Sequence, residues 1–269
     1  NFTTGVDSFN TAVGDRAGAS VTTGLYNTFL GGLAGDAHTT ADHNTALGLA
    51  AMSTNTQGNK NTAVGSNALS DFNVGTDTDT FNTAVGFSAG TAVTTATNNT
   101  FIGGLSGDAV TTGASNTFVG QASGSSTTTG AQNVAVGEGA LFTNTTASSN
   151  TAIGRDAMYF NTTGTLNTTV GHSAGKDLTT GDSNTFIGKG SGENTTTSDN
   201  NTAVGRDALF TQTTGTENTA VGTAAMYYNT TGSNNTAVGK SALDDNSTGA
   251  SNTAVGRAAL FDNSTASSN

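Results

Sequence analysis

The chain has 269 residues, of which 33% are hydrophobic and 10% charged, with a net charge of −11. This acidic balance argues against a nucleic-acid ligand, because binding phosphates requires Lys and Arg. The absence of Cys excludes disulfides and thiolate metal sites, and no apolar run approaches the ~20 residues of a membrane-spanning helix.

A 17-residue repeat organises the chain. Asn recurs every 17 residues from Asn10 to Asn269, except for one step of 21 residues that carries an insertion around Asp71–Phe81. This gives fifteen copies after a partial copy at Asn1–Phe9. Because the sequence begins and ends inside the pattern, we expect a single repeat domain over residues 1–269 that belongs to a longer fibre.

Each copy reads N-T-A-V-G-x-x-A-L-x-x-N-T-T-G-x-x from that Asn at position 1. Thr-Ala-Val favours a short strand that the Gly ends, and Thr-Thr at positions 13 and 14 favours a second one. The pattern predicts an all-β fold, a parallel β-solenoid with one coil per copy, since helical repeats need ~33 residues. The residues expected to stack in a structural ladder include Asn201, Val204, Gly205, Asn218, Val221 and Gly222.

Positions 3 and 9 compensate each other in size. Copies with Phe at position 3 have Gly at position 9, and copies with Leu or Met at position 9 have Ala at position 3. This indicates one close-packed space shared by the two positions. Because side chains alternate along a strand, we expect Thr202 and Val204, at positions 2 and 4, to line the coil interior. Position 3 then faces a second buried space.

We expect this second space to face a partner chain, in a homotrimer. A coil that buries two large apolar side chains gains about 3–6 kcal/mol, whereas ordering each backbone residue costs about 1–2 kcal/mol. A lone coil is therefore marginally stable, and association would stabilise it. The predicted shared packing and oligomer face comprises Phe29, Phe101, Phe118, Phe186, Leu209, Met226, Leu243 and Leu260.

The repeat as it stands in Asn235–Asn252 resembles two related groups. One is the head repeat of trimeric autotransporter (YadA-like) adhesins, which carries a similar S-V-A-I-G-x-x-A run. The other is the repeat region of phage-type tail-fibre proteins. The resemblance implies a trimer of left-handed parallel β-rolls exposed outside the cell or on a virion. The period of 17 departs from the shorter adhesin coil, and no neck, stalk, membrane anchor or chaperone domain is visible in the sequence.

No residue pattern predicts a cofactor, metal or catalytic site, so we do not expect an enzyme. His38 and His43 fall at positions 12 and 17 of one copy, where solvated turns are expected. Calcium-binding β-rolls carry Asp in every copy. The scattered acids Asp77, Asp79, Asp244 and Asp245 instead favour a role in solubility.

The predicted function is therefore an extracellular structural or adhesive fibre segment that mediates attachment or forms a matrix. Its expected partners are further copies of itself, also end to end, and a host surface or glycan. The alternative is an ice- or glycan-binding solenoid that uses exposed Thr or aromatic ladders. The aromatic side chains at position 10 could form a surface stripe or pack between coils: Phe142, Tyr159, Phe210, Tyr227 and Phe261.

Overall fold

The computed structural model describes residues 8–269, so residues 1–7 of the predicted partial copy lie outside the described part. The described chain is an all-β parallel β-solenoid of about 14 turns in which no residue is helical. The predicted solenoid is confirmed. The described chain divides into two compact units, the first ending at Asn133 and the second spanning Val134–Asn269. A single repeat domain over residues 1–269 stays a prediction.

The first unit carries one three-residue strand per coil. In chain order these strands are β1 (Thr11–Val13), β2 (Thr28–Leu30), β3 (Thr45–Leu47), β5 (Thr62–Val64), β7 (Thr83–Val85), β8 (Thr100–Ile102) and β9 (Thr117–Val119). A separate parallel pair joins β4 (Gly58–Asn59) to β6 (Thr78–Asp79). Of this pair, β6 lies in the insertion, whose Phe72 side chain is buried inside the coil, and β4 lies in the preceding coil.

The second unit repeats the arrangement with eight strands. They are β10 (Val134–Val136), β11 (Thr151–Ile153), β12 (Thr168–Val170), β13 (Thr185–Ile187), β14 (Thr202–Val204), β15 (Thr219–Val221), β16 (Thr236–Val238) and β17 (Thr253–Val255). Each strand pairs in parallel with the next at a register of 17 residues, so that Val204 lies opposite Val221. Like residues therefore stack on like residues.

The Gly at position 5 ends each strand for two reasons. Gly205 has φ +142°, a conformation that side-chain-bearing residues rarely adopt. A Cβ atom at Gly205 would also lie 2.4 Å from the carbonyl oxygen of Gly222 in the next coil. Only Gly allows the coils to approach this closely.

The second strand predicted at Thr-Thr does not form. In the described chain, positions 13 and 14 make bends, because several amides converge on one carbonyl instead of forming a ladder. The amides of Thr179 and Thr180 both donate to the oxygen of Thr196, at 2.8 and 3.3 Å. The Thr179 hydroxyl donates to the same oxygen at 3.0 Å.

Candidate interaction surfaces

The strand side chains face opposite to the prediction. Ala203, at position 3, is fully buried inside its coil, whereas Val221 and Val238, at position 4, are 36% and 38% exposed. The expectation that Thr202 and Val204 line the interior is therefore wrong. The alternation of side chains along the strand correctly indicated which residues share a face, but the larger aliphatic side chain of position 4 lies outside the coil.

The interior is too narrow for two large side chains at one level, which explains this orientation. A Cβ atom added to Gly35 would lie 2.3 Å from the ring of Phe29, and one added to Gly192 would lie 2.6 Å from the ring of Phe186. Positions 3 and 9 thus meet inside the coil of a single chain. The space that sequence reasoning assigned to a partner is the coil's own core.

The residues of the predicted shared packing and oligomer face accordingly lie inside the solenoid. Seven are fully buried there, and the eighth, Leu260, in the last coil, is 38% exposed. The seven are Phe29, Phe101, Phe118, Phe186, Leu209, Met226 and Leu243. These seven cannot serve as an oligomer face, because their own coils already cover them.

The Asn at position 1 forms a buried ladder between coils. The backbone amide of Asn218 donates to Oδ1 of Asn201 at 3.0 Å, and the Asn201 side-chain amide donates to the carbonyl of Gly215 at 3.1 Å. Gly222 donates its amide to the carbonyl of Val204 at 2.8 Å. The six residues named for the structural ladder thus stack across two neighbouring coils.

Two outward columns run along each unit, and we call them the strand face. One column is the Thr of position 2, and the other is the aliphatic residue of position 4. In the second unit the more exposed aliphatic members are Ile153, Ile187, Val221, Val238 and Val255. The strand face is therefore a regular surface of methyl and hydroxyl groups, with strands about 4.8 Å apart.

The Thr-Thr bend presents only one of its two residues to solvent. The hydroxyl of Thr at position 13 is taken up by the next coil, as at Thr162, which donates to the Thr179 carbonyl at 3.1 Å. Position 14 is exposed, as at Thr163 and Thr180. Position 14 therefore supplies a second outward Thr column, on another side of the coil.

The position-10 aromatic side chains stack between neighbouring coils. The rings of Phe142 and Tyr159 lie 4.8 Å apart and nearly parallel, and those of Phe210 and Tyr227 lie 5.0 Å apart. Position 11 adds the half-exposed rings of Phe160 and Tyr228, which contact this stack edge-on. In the second unit, a shallow groove beside Phe160 is lined by Thr143, Thr162, Asp177, Thr179 and Thr196.

His38 and His43 do not form a pair. His38 is fully buried, which corrects the expected solvated turn, and Asn55 Nδ2 lies 3.0 Å from its Nε2 atom. Burial lowers the pKa of His38 to about 3, with a weaker opposing hydrogen bond at the Gly35 backbone. His43 is exposed and its ring stacks on Tyr26 at 4.8 Å.

Acidic side chains also do not assemble into an ion site. Within residues 8–269, no group of three or more His, Asp or Glu side chains could hold a metal ion. Burial, and to a smaller extent the neighbouring Asp245, raises the pKa of Asp244. Asp79 pairs instead with Lys60, whose hydrogen bond lowers the pKa of that carboxyl group.

Sequence reasoning missed the interior role of position 12, which it had placed on a turn. The side chains in this column differ widely in chemistry, yet nearly all are buried: Val21, His38, Asn55, Phe72, Leu178, Gln212 and Asn229 among them. Asn144 and Asn229, which each begin an Asn-x-Thr sequence of the kind that can accept N-linked glycans, fall in this column, and the folded coil shields both side-chain amides. The signal was the presence of Val, Phe and Leu among the polar residues of position 12.

No protein-family model, no curated protein and no solved structure matches the chain. The described part of the chain contains no helix with the length and hydropathy that crossing a bilayer requires.

Proposed function

We propose that the chain is a segment of an extracellular fibre, in which identical solenoids associate through their strand faces as a homotrimer. The exposed aliphatic column of position 4 carries this proposal. Solvent-facing residues of a soluble sheet are usually polar, and a repeated apolar column indicates a surface that another molecule covers. The number three and the extracellular location rest on the resemblance to adhesin head and tail-fibre repeats.

The energetics support association. Covering a Val or Ile side chain that is about two-fifths exposed contributes on the order of 1 kcal/mol. Four such coils in the second unit thus offer about 4 kcal/mol per chain, from which the entropy cost of association must be subtracted. The Thr column beside them adds flat, β-branched side chains that lose little entropy when covered.

In this proposal the fibre is a rigid shaft or matrix filament without catalytic activity. Attachment would come from the solvent-facing sides that the association leaves uncovered, which include the position-14 Thr column and the aromatic rings. A host surface or a glycan is the partner that such sides would meet. End-to-end growth of filaments would pair the strand edges that a coil without a neighbour leaves unpaired.

Sedimentation equilibrium tests the proposal with variants of the strand face. We expect the unmodified chain to sediment as three copies, and the Val221→Lys/Val238→Lys double variant to sediment as one. Placing two ammonium groups in each apolar contact costs several kcal/mol, because burying an unpaired charge is unfavourable. The strand backbone keeps its hydrogen bonds, so we expect the far-ultraviolet circular dichroism spectrum to be unchanged.

A matched control uses exposed Thr residues of the same coils. Thr231→Lys/Thr248→Lys adds the same charge on the position-14 column, and we expect this variant to remain a trimer. A single-chain mass for the unmodified protein at high concentration would reject the proposal. If both double variants dissociate equally, the loss of the trimer is caused by the added charge and not by disruption of the strand face.

The second candidate function is ice binding, and the outward orientation of position 2 favours it. Thr202, Thr219 and Thr236 lie in register beside an aliphatic column, which gives a flat and repetitive surface. An ice-binding solenoid would act as a single chain and would shape growing ice crystals. Faceted crystals in the presence of the unmodified chain, but not of a Thr219→Lys variant, would support this candidate over the fibre.

A further inference from the structure

One side of the second unit carries a row of basic residues. Position 6, two residues after the end of each strand, is basic in six of its eight coils. The cationic row consists of Arg155, His172, Lys189, Arg206, Lys240 and Arg257, and all six residues are exposed. Five of the chain's 8 Lys and Arg residues therefore occupy a single position of the repeat.

The backbone aligns the members of the row from coil to coil. The amide of Asp207 donates to the Lys189 carbonyl at 2.9 Å, and the amide of Ala224 donates to the Arg206 carbonyl at the same distance. Side chains of adjacent coils also meet, since Arg155 donates through Nη2 to Nε2 of His172. Members in adjacent coils are thus spaced by one strand separation, about 4.8 Å, and only Thr223, between Arg206 and Lys240, interrupts the series from Arg155 to Arg257.

Nearby acids leave most of this charge exposed. Arg206 contacts Asp207 at 3.6 Å through Nε, and its side chain is 65% exposed. A guanidinium has further N–H donors beyond Nε, so it can bind a second anion. Surface ion pairs of this kind are weak, and a polyanion could compete with them.

The row is restricted to one unit. In the first unit, position 6 is occupied by non-basic residues: Asp15, Gly32, Leu49, Ser66, Phe87, Gly104 and Gln121. The strand face, by contrast, occurs in both units, so the two surfaces have different distributions along the chain.

We propose that the cationic row binds a linear acidic polysaccharide, with successive carboxylate or sulfate groups along successive coils. An extended sugar chain carries its charges at intervals comparable to the coil spacing. Hydroxyl groups of the sugars can be accommodated by the polar surface beside the row. This inference does not depend on the proposed association of copies, because it uses only side chains of one chain.

A nucleic acid fits the row less well. Phosphates of one DNA strand are spaced by about 3.4 Å along the helix axis, which is less than the separation of the coils. Binding of single strands also relies on aromatic side chains for base stacking. The stacked aromatic residues of this unit lie at positions 10 and 11, not within the row.

Titration calorimetry with the full chain and polygalacturonate, a chain of carboxylated sugars, tests the proposal. We expect binding at low salt that weakens at about 0.15 M salt, because exposed charges are screened. The Lys189→Gln/Arg206→Gln/Lys240→Gln variant should bind about tenfold more weakly, since each exposed ionic contact contributes a few tenths to 1 kcal/mol. Lys176→Gln removes a basic residue at position 10, outside the row, and should bind within about twofold of the unmodified chain.

Three results would overturn the proposal: no binding of polygalacturonate at low salt, equal weakening by Lys176→Gln, or tighter binding of single-stranded DNA than of the polysaccharide. Neutral dextran should not bind, and its binding would count against a charge-based site. Sedimentation of the triple variant separates this proposal from that of the fibre. A triple variant that falls apart into single chains would identify the row as a contact between copies.

Discussion

At the level of single side chains, His38 makes the stability of the coil depend on pH. The folded chain holds this side chain neutral, because burial lowers the pKa of His38 from 6.5 to about 3. The unfolded chain binds a proton below about pH 6.5. Between these values the unfolded state binds more protons, so stability falls as the pH falls from about 6.5 towards 3.

We therefore expect unfolding to become easier by about 2 kcal/mol at pH 5 relative to neutral pH through this residue alone. The measurement is urea denaturation of the unmodified chain and of His38→Asn at both pH values. Asn occupies the same position in the next coil, at Asn55, so the variant suits the site. An identical pH dependence of the two proteins would contradict the assignment of the effect to His38.

The paired sizes of positions 3 and 9 predict strong coupling between Phe29 and Gly35. Phe29→Ala leaves a cavity that costs about 3–5 kcal/mol, and Gly35→Leu places a side chain where the Phe29 ring already lies. Together they recreate the Ala–Leu pair of other coils, in which Leu209 adopts φ +52°. We expect the double variant to recover at least about 2 kcal/mol relative to additivity.

A double-mutant cycle by chemical denaturation measures this coupling. The same two changes in separate coils, Phe29→Ala with Gly192→Leu, provide the control, because those residues do not share a space. Additive effects for Phe29 and Gly35 would mean that the two positions do not compete for one volume.

Among the repeated elements, the Asn ladder joins each coil to the next. Asn201 accepts from the backbone amide of Asn218 and donates to the carbonyl of Gly215. Asn201→Ala leaves the buried Asn218 amide without its acceptor, whereas the Gly215 carbonyl keeps the side-chain amide of Gln212 at 2.8 Å. One unsatisfied buried group costs about 1–3 kcal/mol, and we expect a loss of that size by thermal or urea unfolding.

Thr197→Ala is the matched control for the ladder, because it removes an exposed side chain from the same region of the second unit. We expect its effect to remain within about 0.5 kcal/mol. A similar loss for the two variants would mean that the ladder is not a specific source of stability.

The elements show why part of the fold was predictable and part was not. The Thr-Ala-Val strand, its closing Gly and the coil period follow from local residue preferences that recur in every copy. The prediction of a strand at Thr-Thr was based on the strand preference of Thr, and it was wrong. In the stacked coils, the amides of Thr179 and Thr180 instead share one acceptor, the Thr196 carbonyl. The strand propensity of a residue type carries no information about such shared acceptors.

The orientation of the strand depends on the cross-section of the coil, which the sequence describes only indirectly. Alternation places Ala203 opposite Thr202 and Val204, but hydrophobicity alone favours burial of the Val. The narrow interior accepts Ala with Leu or Phe with Gly, and this restriction decides the orientation. Size compensation identified the close-packed space correctly while leaving its location, core or interface, undetermined.

For the whole molecule, a repeat that leaves one apolar column outside in every coil predicts association along the length of each unit. The position-4 column of the strand face consists of aliphatic side chains, which are typical of a protein interior, although they face solvent here. Polar side chains at these sites would be compatible with a single solenoid in water. Their absence is the physical reason for proposing that copies cover one another.

Chemical cross-linking at a single Cys tests this claim most directly, because the natural chain contains no Cys that could interfere. Chains carrying Val221→Cys, treated with a short bis-maleimide, should form covalent pairs at high yield, since the association brings this residue of different copies together. Chains carrying Thr231→Cys, in the same coil but on the position-14 column, should remain single. Single chains from Val221→Cys, or equal cross-linking at the two sites, would contradict the account.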